Sequence, residues 1–518
     1  MELIRKNIHM DRTKCFCNTQ ITLEEDVNIP DVKPDVNNII YDKAIVQVEE
    51  VKPTEDHVLV RGRLLFSVLY QSGDESQKLV LLEGKIPFDE QLYMEGVASG
   101  DAVVAKAVVE DLQVSTINSR KLSVQALLGI RAFVEELYDE EISEDIYFEE
   151  EMPLEYRRET KEIAEIAILK NDILRIREEI GIPQNYPNIF HILWDEVEFE
   201  DLEFRPKDEC IQVQGDIHVF FLYEGEGEET QIRAHETTIP LNQTLECHGA
   251  KEGMLADIGY ETGHKELEVH PDFDGEERML SLEMVLDISM RLYEEDKVDM
   301  ITDVYGVKKE VECEEKEAQL RQVYMQICGK NKFTDKITMK EEGQILQVLH
   351  ACEMATVDSK QIVENGILIE GSINIKALVI TDDDHAPYRC VSKVAPFSYT
   401  LEVPGILPTD TFKLDYNVEQ LQVSMISGDE LDVKAILCFK TCIFRSITVT
   451  YMDSIRLQDL DPAKMEEMPG MVIYVVGNDE QLWDIGKQYY VSVDTLKEIN
   501  ELTSDEVHPG DKLLLVKG

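Results

Sequence analysis

The sequence predicts a mainly β, multidomain protein: three homologous antiparallel β-sandwich-like repeats followed by a small βααβ unit. Three observations lead there. First, the stretches VLVRGRLLFSVLY (58–70), IQVQGDIHVFFLY (211–223) and ILIEGSINIKALV (367–379) place an apolar residue at every second position, and a glycine interrupts each at the same point, Gly62, Gly215 and Gly371. A period of two lays one face of a strand on a core. Second, other landmarks keep the spacing of those glycines. Third, after Ile455 the pattern gives way to a polar stretch and then to helical spacing.

The glycines stand 153 and 156 residues apart, and Pro87, Pro240 and Pro396 each follow their glycine by 25. Ile29-Pro30 and Pro34 match Ile182-Pro183 and Pro187 upstream. Downstream, DLQVS (111–115) matches QLQVS (420–424), while the middle copy has KELEVH, displaced by a two-residue insertion. Each copy closes with another alternating strand: KLSVQALLGI, MLSLEMVLDI and ELDVKAILCF. A unit of this size far exceeds solenoid periods of about 20–50 residues, so the expectation is three beads on a string, with their packing against one another left open. Their expected limits are 1–140, 141–298 and 299–454, with a linker at 455–470 and the terminal unit at 471–518. A glycine inside a strand weakens it, and its threefold recurrence predicts a bulge or a close backbone approach. The polar segments QSGDESQ, EGEGEET and TDDDHAP read as hairpin turns. The third copy has Met339 and Gly343 at the offset of the prolines, so its opening segment is expected to pack differently.

In the terminal unit, Ile473–Val476 reads as a strand. Leu482, Ile485 and Tyr489 mark one face of a helix, and Val493, Leu496 and Ile499 mark a second. Ser492 and Asp494 are its cap candidates. Pro509-Gly510 turns the chain into a closing strand at 512–516.

Charge narrows the function classes. Fifty-one Lys and Arg face 105 Asp and Glu, a formal net charge of −54. That balance argues against nucleic acid, whose phosphates demand cationic partners, and against anionic membrane surfaces. No segment approaches the roughly 18 apolar residues of a membrane span. The N-terminus lacks the apolar core of a secretory signal, and ten scattered cysteines read as reduced thiols, so a cytosolic protein is expected. The eleven histidines show no metal-ligand spacing, Asp382-Asp383-Asp384-His385 reads as a solvated turn, and no phosphate loop stands out. Neither an enzyme, a cofactor nor a metal site is expected. The acidic run Glu135–Glu151 reads as a solvated linker between the first two repeats.

The terminal unit resembles a LysM domain. The resemblance rests on the Y-x-V strand, Leu482-Trp483-x-Ile485, the V-S-V-x-x-L run to Asn500 and the V-x-P-G-x-x-L close. LysM domains bind N-acetylglucosamine polymers such as peptidoglycan through the loops before the first helix and after the second. This implies a partner- or glycan-binding face at Ile473, Asp479, Glu480, Gln481, Leu482, Trp483, Asn500 and Leu502. The family has Gly-Asp-Thr where this chain has Asp479-Glu480-Gln481. Trp483 reads equally as core and as a partner anchor. The repeats resemble the SPOCS domain (DUF3794) in the Ile-Pro…Pro-Asp opening, the V-x-G strand and the Ile-Pro-Phe hairpin. Tandem SPOCS domains with one LysM domain look like the spore coat morphogenetic proteins of the SipL/SpoVID type. That resemblance implies a scaffold of the mother-cell cytoplasm at the forespore surface, docked through its LysM domain onto the coat basal-layer ATPase (SpoIVA-like). The competing implication is a peptidoglycan-binding protein with the repeats as a stalk.

Overall fold

The alternating stretches become, in each repeat, six antiparallel strands in two facing sheets. The computed structural model describes residues 2–74, 77–148, 153–227, 231–339, 343–462, 466 and 468–516. The first repeat contains β1 (Glu2–Asn28), β2 (Val36–Thr54), β3 (His57–Ser72), β4 (Leu79–Tyr93), β5 (Val103–Asn118) and β6 (Lys121–Tyr147). Sheet β2-β3-β4 faces sheet β1-β6-β5. Val58, Val60, Leu64 and Phe66 of β3 meet Leu122, Val124 and Leu128 of β6 in one core. The second repeat runs through β7 (Leu154–Gly181), β8 (Ile189–Lys207), β9 (Cys210–Gly225), β10 (Gln231–Glu246), β11 (Leu255–Pro271) and β12 (Glu277–Gly306). The third runs through β13 (Lys309–Thr338), β14 (Ile345–Val363), β15 (Gly366–Thr381), β16 (Tyr388–Glu402), β17 (Thr411–Ser427) and β18 (Glu430–Asp459). Both repeat the sheet order of the first. The hairpin turns fall between β3 and β4 and their counterparts; residues 75–76 and 228–230 of those turns lie outside the described residues.

The recurrent glycines answer to both expected causes. Gly62 and Gly371 lie beside register shifts at Val48/Glu50 and Val357/Ser359 in the neighbouring strand, and Gly215 beside one at Glu200/Glu203. A Cβ on Gly62 would stand 2.3 Å from the Gln47 carbonyl oxygen, and one on Gly371 2.0 Å from that of Thr356. On the other side the rings of Phe88 and Phe397, cross-strand partners of those glycines, cover the bare backbone. At Gly215 the nearest atom would be 2.9 Å away and the cross-strand partner is Leu241. Alanine at 62 or 371 is therefore expected to cost about 1–3 kcal/mol, and at 215 less, because only there is a small shift enough. Urea unfolding of the three variants checks the order; equal losses would show that the contact distances do not govern it.

The opening of the third copy differs less than its sequence predicts. Met339 donates its N–H to Asp429, as Ile29 does to Arg120 and Ile182 to Arg278, so Met339 takes the isoleucine's place and not the proline's. Asp429 and Val379 stand where the other two copies carry a clamp of arginine and tyrosine. In the first two repeats Arg120 and Arg278 bind the carbonyls of the opening loop, and the Tyr70 and Tyr223 hydroxyls bind those of Pro34 and Pro187.

The long outer strands join the three beads to one another. The expected limits at 140, 298 and 454 fall inside β6, β12 and β18, which continue to Tyr147, Gly306 and Asp459. The ladder with β5 ends at Val134, yet β6 pairs onward with β1 as far as Glu2↔Tyr147. The acidic run expected as a linker is this outer half of β6, while residues 149–151 lie outside the described residues. β7–β12 and β13–β18 extend likewise. Each ribbon carries a bulge where the third strand stops, at Thr13/Cys15, Leu292/Tyr293 and Val323/Met325. Bulges bend and twist a strand, and these turn the ribbons away from their sandwiches. A two-stranded ribbon is marginal alone. Here three of them share a core, with Ile8, Met10 and Ile142 against Ile163, Val298 and Met300, and against Leu320, Val449 and Tyr451.

A second junction joins the β2, β8 and β14 sheets. Ile40 and Tyr41 of the first repeat meet Leu193, Trp194 and Phe220 of the second and Leu378 of the third. Tyr41, Trp194 and His350 pair with Leu69, Leu222 and Leu378, each seven residues past its repeat's glycine, so they are equivalent positions. Lys43, Glu196 and Cys352 are equivalent in the same way. The repeats thus surround a pseudo-threefold axis. At it the Glu196 carboxylate, 3% exposed, accepts from Trp194 Nε1 (3.1 Å) and from His350 Nε2 (2.8 Å), with Lys43 Nζ at 3.3 Å. The ionised carboxylate is acceptor-only, so Nε2 of His350 is the donor in this contact. At the ribbon junction, Asp11 of the first repeat is buried against Arg291 of the second and Arg321 and Lys413 of the third.

Candidate functional site

The terminal unit folds as its spacing predicts, with strands β19 (Met471–Val475) and β20 (Lys512–Val516) paired antiparallel and helices α1 (Leu482–Tyr489) and α2 (Val493–Ile499) packed on them. Of the two cap candidates for α2, Ser492 serves: its Oγ accepts from the Thr495 N–H at 3.1 Å. Residues 455–459 of the expected linker are strand β18, and 463–465 and 467 lie outside the described residues.

The eight expected site residues divide into two groups. Leu482 and Trp483 are buried in the unit's own core and Leu502 packs on it half-buried. Asn500 is a structural clamp, donating to the Leu496 and Leu514 carbonyls and accepting from the Leu514 N–H, which ties the end of α2 to β20. Asp479 has φ 62°, the left-handed conformation that favours glycine, at the place where LysM domains carry one. Aspartate is among the few side chains that tolerate it, so the loop keeps its path without the glycine. Glu480 folds back onto the loop, accepting from the Gly477 N–H (2.8 Å) and the Tyr474 hydroxyl (2.8 Å). Those two bonds, the backbone one first, hold its carboxyl below the usual glutamate range. Asp479 and Gln481 are exposed, and Ile473 is 71% exposed.

Trp483 is 8% exposed because the second repeat covers it. Its ring meets the edge of Tyr305 at 4.8 Å, its Nε1 donates to Asp303 at 2.7 Å, and the Arg157 guanidinium lies 5.0 Å over its face. Asp303 also accepts from Lys487 (2.6 Å), the Tyr305 hydroxyl donates to the Val491 carbonyl (3.0 Å), and Arg157 donates to Gln481 (2.8 Å). Gly486 is needed here, since a Cβ would stand 2.6 Å from the Tyr305 hydroxyl. Tyr490 reaches Glu310 at the start of β13. Arg157, Asp303 and Tyr305 are not separable from the sequence alone: Tyr147, at the matching place in the first repeat, is 65% exposed, whereas Tyr305 is 3% exposed.

The same contact closes one side of a cleft of about 820 Å³. One wall is Gln481, Trp483, Lys497 and the loop 505–508; the other is residues 155–158 at the start of β7. This cleft lies between the loop before α1 and the loop after α2. Carboxylates crowd it, with burial and then the neighbouring Asp494 pushing the Glu155 carboxyl up. Outside the cleft, Met471, Ile473 and Val475 form an exposed apolar row on the edge strand β19. In the turn Asp382–His385, Asp382 accepts from the Gln344 N–H and Asp383 from the His385 N–H and from Arg389, and no metal-holding cluster occurs among the described residues. No helix among the described residues is long and apolar enough to cross a membrane.

Fold and cleft define the class: a triplicated β-sandwich body carrying a βααβ binding module. Residues 35–117, 188–270 and 344–426 match the family described as SipL, SPOCS domain, and residues 474–516 match the LysM domain. The chain is a tandem SPOCS–LysM protein. Each SPOCS match spans β2 to β5 or their counterparts, so the ribbon strands largely fall outside it. No curated protein and no solved structure matches the chain. Its domains are of binding and scaffold families, and no enzyme family is indicated.

Proposed function

We propose that this protein is a non-enzymatic scaffold of endospore coat assembly. It works in the mother-cell cytoplasm at the forespore surface and docks through its LysM domain onto the basal-layer ATPase of the coat (SpoIVA-like). The SPOCS matches and the SipL description support the coat setting. One observation carries the choice of a protein partner over a glycan. Trp483 and Gln481, on the side that would meet a sugar chain, are engaged by the second repeat, while Met471, Ile473 and Val475 are exposed on β19, whose only strand partner among the described residues is β20. Edge strands with apolar side chains are suited to pairing with another chain. The body then acts as a rigid three-lobed spacer.

The open cleft favours the second reading, a peptidoglycan-binding protein. Immobilised full-length protein is exposed to the purified ATPase and, separately, to insoluble peptidoglycan. The first reading expects retention of the ATPase and an affinity loss of tenfold or more with Ile473→Asp, about 1.4 kcal/mol. Retention on peptidoglycan without ATPase binding would replace it with the second.

A further inference from the structure

Cys328 on β13 and Cys438 on β18 bring their sulfurs to 3.0 Å. The ladder accounts for this. Cys328 pairs with Lys440 and Lys330 with Cys438, so the two cysteines are diagonal neighbours on one face of the sheet. Leu437 and Phe439, on either side of Cys438, belong to the core, which places the pair on the outer face. Cys328 is exposed and Cys438 buried. Cys328 and Lys440 also line a cleft of about 540 Å³ between the second and third repeats, which gives a small oxidant a path to the sulfur. Lys440 and Lys330 stand opposite Cys328 and Cys438 in the ladder. Lys330 is itself paired with Glu419, and burial, then the Cys328 and Glu419 side chains, push the Cys438 thiol up. The exposed sulfur is therefore the one that meets the oxidant, and the buried one resolves it.

We propose that Cys328 and Cys438 form a peroxide-oxidisable pair that closes as an intramolecular disulfide at the root of the third ribbon. The Cys328 thiolate sulfur attacks one oxygen of hydrogen peroxide. The O–O bond breaks, a sulfenic acid forms, and hydroxide leaves as water after taking a proton. Cys438 then gives up its proton as its sulfur attacks that of Cys328. The S–O bond breaks and a second water leaves. Two thiols lose two electrons in total, and peroxide is reduced to two waters. The bond would join β13, an edge strand, to the central strand β18 just below the bulge at Val323/Met325.

The test uses the full-length, fully reduced chain, treated with hydrogen peroxide, alkylated and digested without reductant. Expected are one peptide linking 328 to 438, eight alkylated thiols in place of ten, and a melting temperature above that of the reduced protein. Cys438→Ser is expected to stop at oxidised Cys328 and to lose the rise in melting temperature, with circular dichroism confirming its fold. Three results would overturn the proposal: both cysteines alkylated after peroxide, Cys328 carried on to sulfinic acid while Cys438 stays free, or Cys328 crosslinked between chains.

Discussion

Replacing Glu196 with alanine is expected to lower stability by about 3–5 kcal/mol, the usual cost of removing one partner from a buried, hydrogen-bonded charge group. The change strands the Nε2–H of His350 and the Nε1–H of Trp194 at the axis where all three repeats meet, and leaves the Lys43 ammonium with Glu198 at 3.6 Å. Acid should act on the same group. Burial alone would push the Glu196 carboxyl up, but the Lys43 charge and the bonds from His350 and Trp194 outweigh it and hold it at about 2. A free glutamate titrates near 4.3, so this contribution is fully present above about pH 4.3 and is lost as the pH falls toward 2. Asp11 behaves likewise: burial opposes its ionisation, while Arg321, Lys413 and Arg291 hold it ionised below the usual range. Melting temperature measured from pH 7 to pH 2 should fall below pH 4 in the wild type. Glu196→Gln should start lower and fall less steeply. Parallel curves for the two proteins would remove Glu196 from the acid response.

Trp483→Ala is expected to unfold the LysM tail and leave the three-lobed body intact. Truncating a buried tryptophan costs about 3–5 kcal/mol, more than a module of this size holds in reserve. The ring fills the module's own core and also packs on Tyr305 and Arg157. Limited proteolysis should release fragments cut within 471–516 from the variant only. Trp483→Phe separates the two roles, because it keeps apolar bulk and loses the bond to Asp303. It should undock a folded tail, seen as faster hydrogen exchange at 303–305 with α1 still protected. A Trp483→Ala tail that resists protease as the wild type does would show that its core stands without the ring.

Much of this architecture could be read from residues. Alternation and glycine spacing disclosed the repeats, because a pleated strand writes its period directly into side-chain polarity. The tail was legible for the same reason at helical period. The ribbons were not. β6 past Val134 exposes Asp139 and Glu141 on its outer face, and those charges hid the inward Ile142 and Ile146. The axial groups were hidden by bulges. Shifts at Ile39/Tyr41, Ile192/Trp194 and Val348/His350 break the alternation where the three sheets meet, so Glu196 falls in a stretch that reads as a polar face. Within the candidate site, position alone could not divide Trp483 and Asn500, which hold the module together, from Ile473 and Asp479, which face solvent.

Equivalent places around the axis carry Lys43, Glu196 and Cys352, and around the ribbon core Asp11, Ala164 and Arg321. A ring of three identical subunits would set like charges against one another at each of these places, three lysines or three aspartates at once. Fusing the copies into one polypeptide lets them diverge, so that opposite charges neutralise across unlike neighbours and the second lobe, with Glu310 of the third, is left to seat the tail. The divergence fixes a ratio of one LysM module to three lobes, and excising the first lobe would take Lys43 from Glu196 and Asp11 from both Arg291 and Arg321.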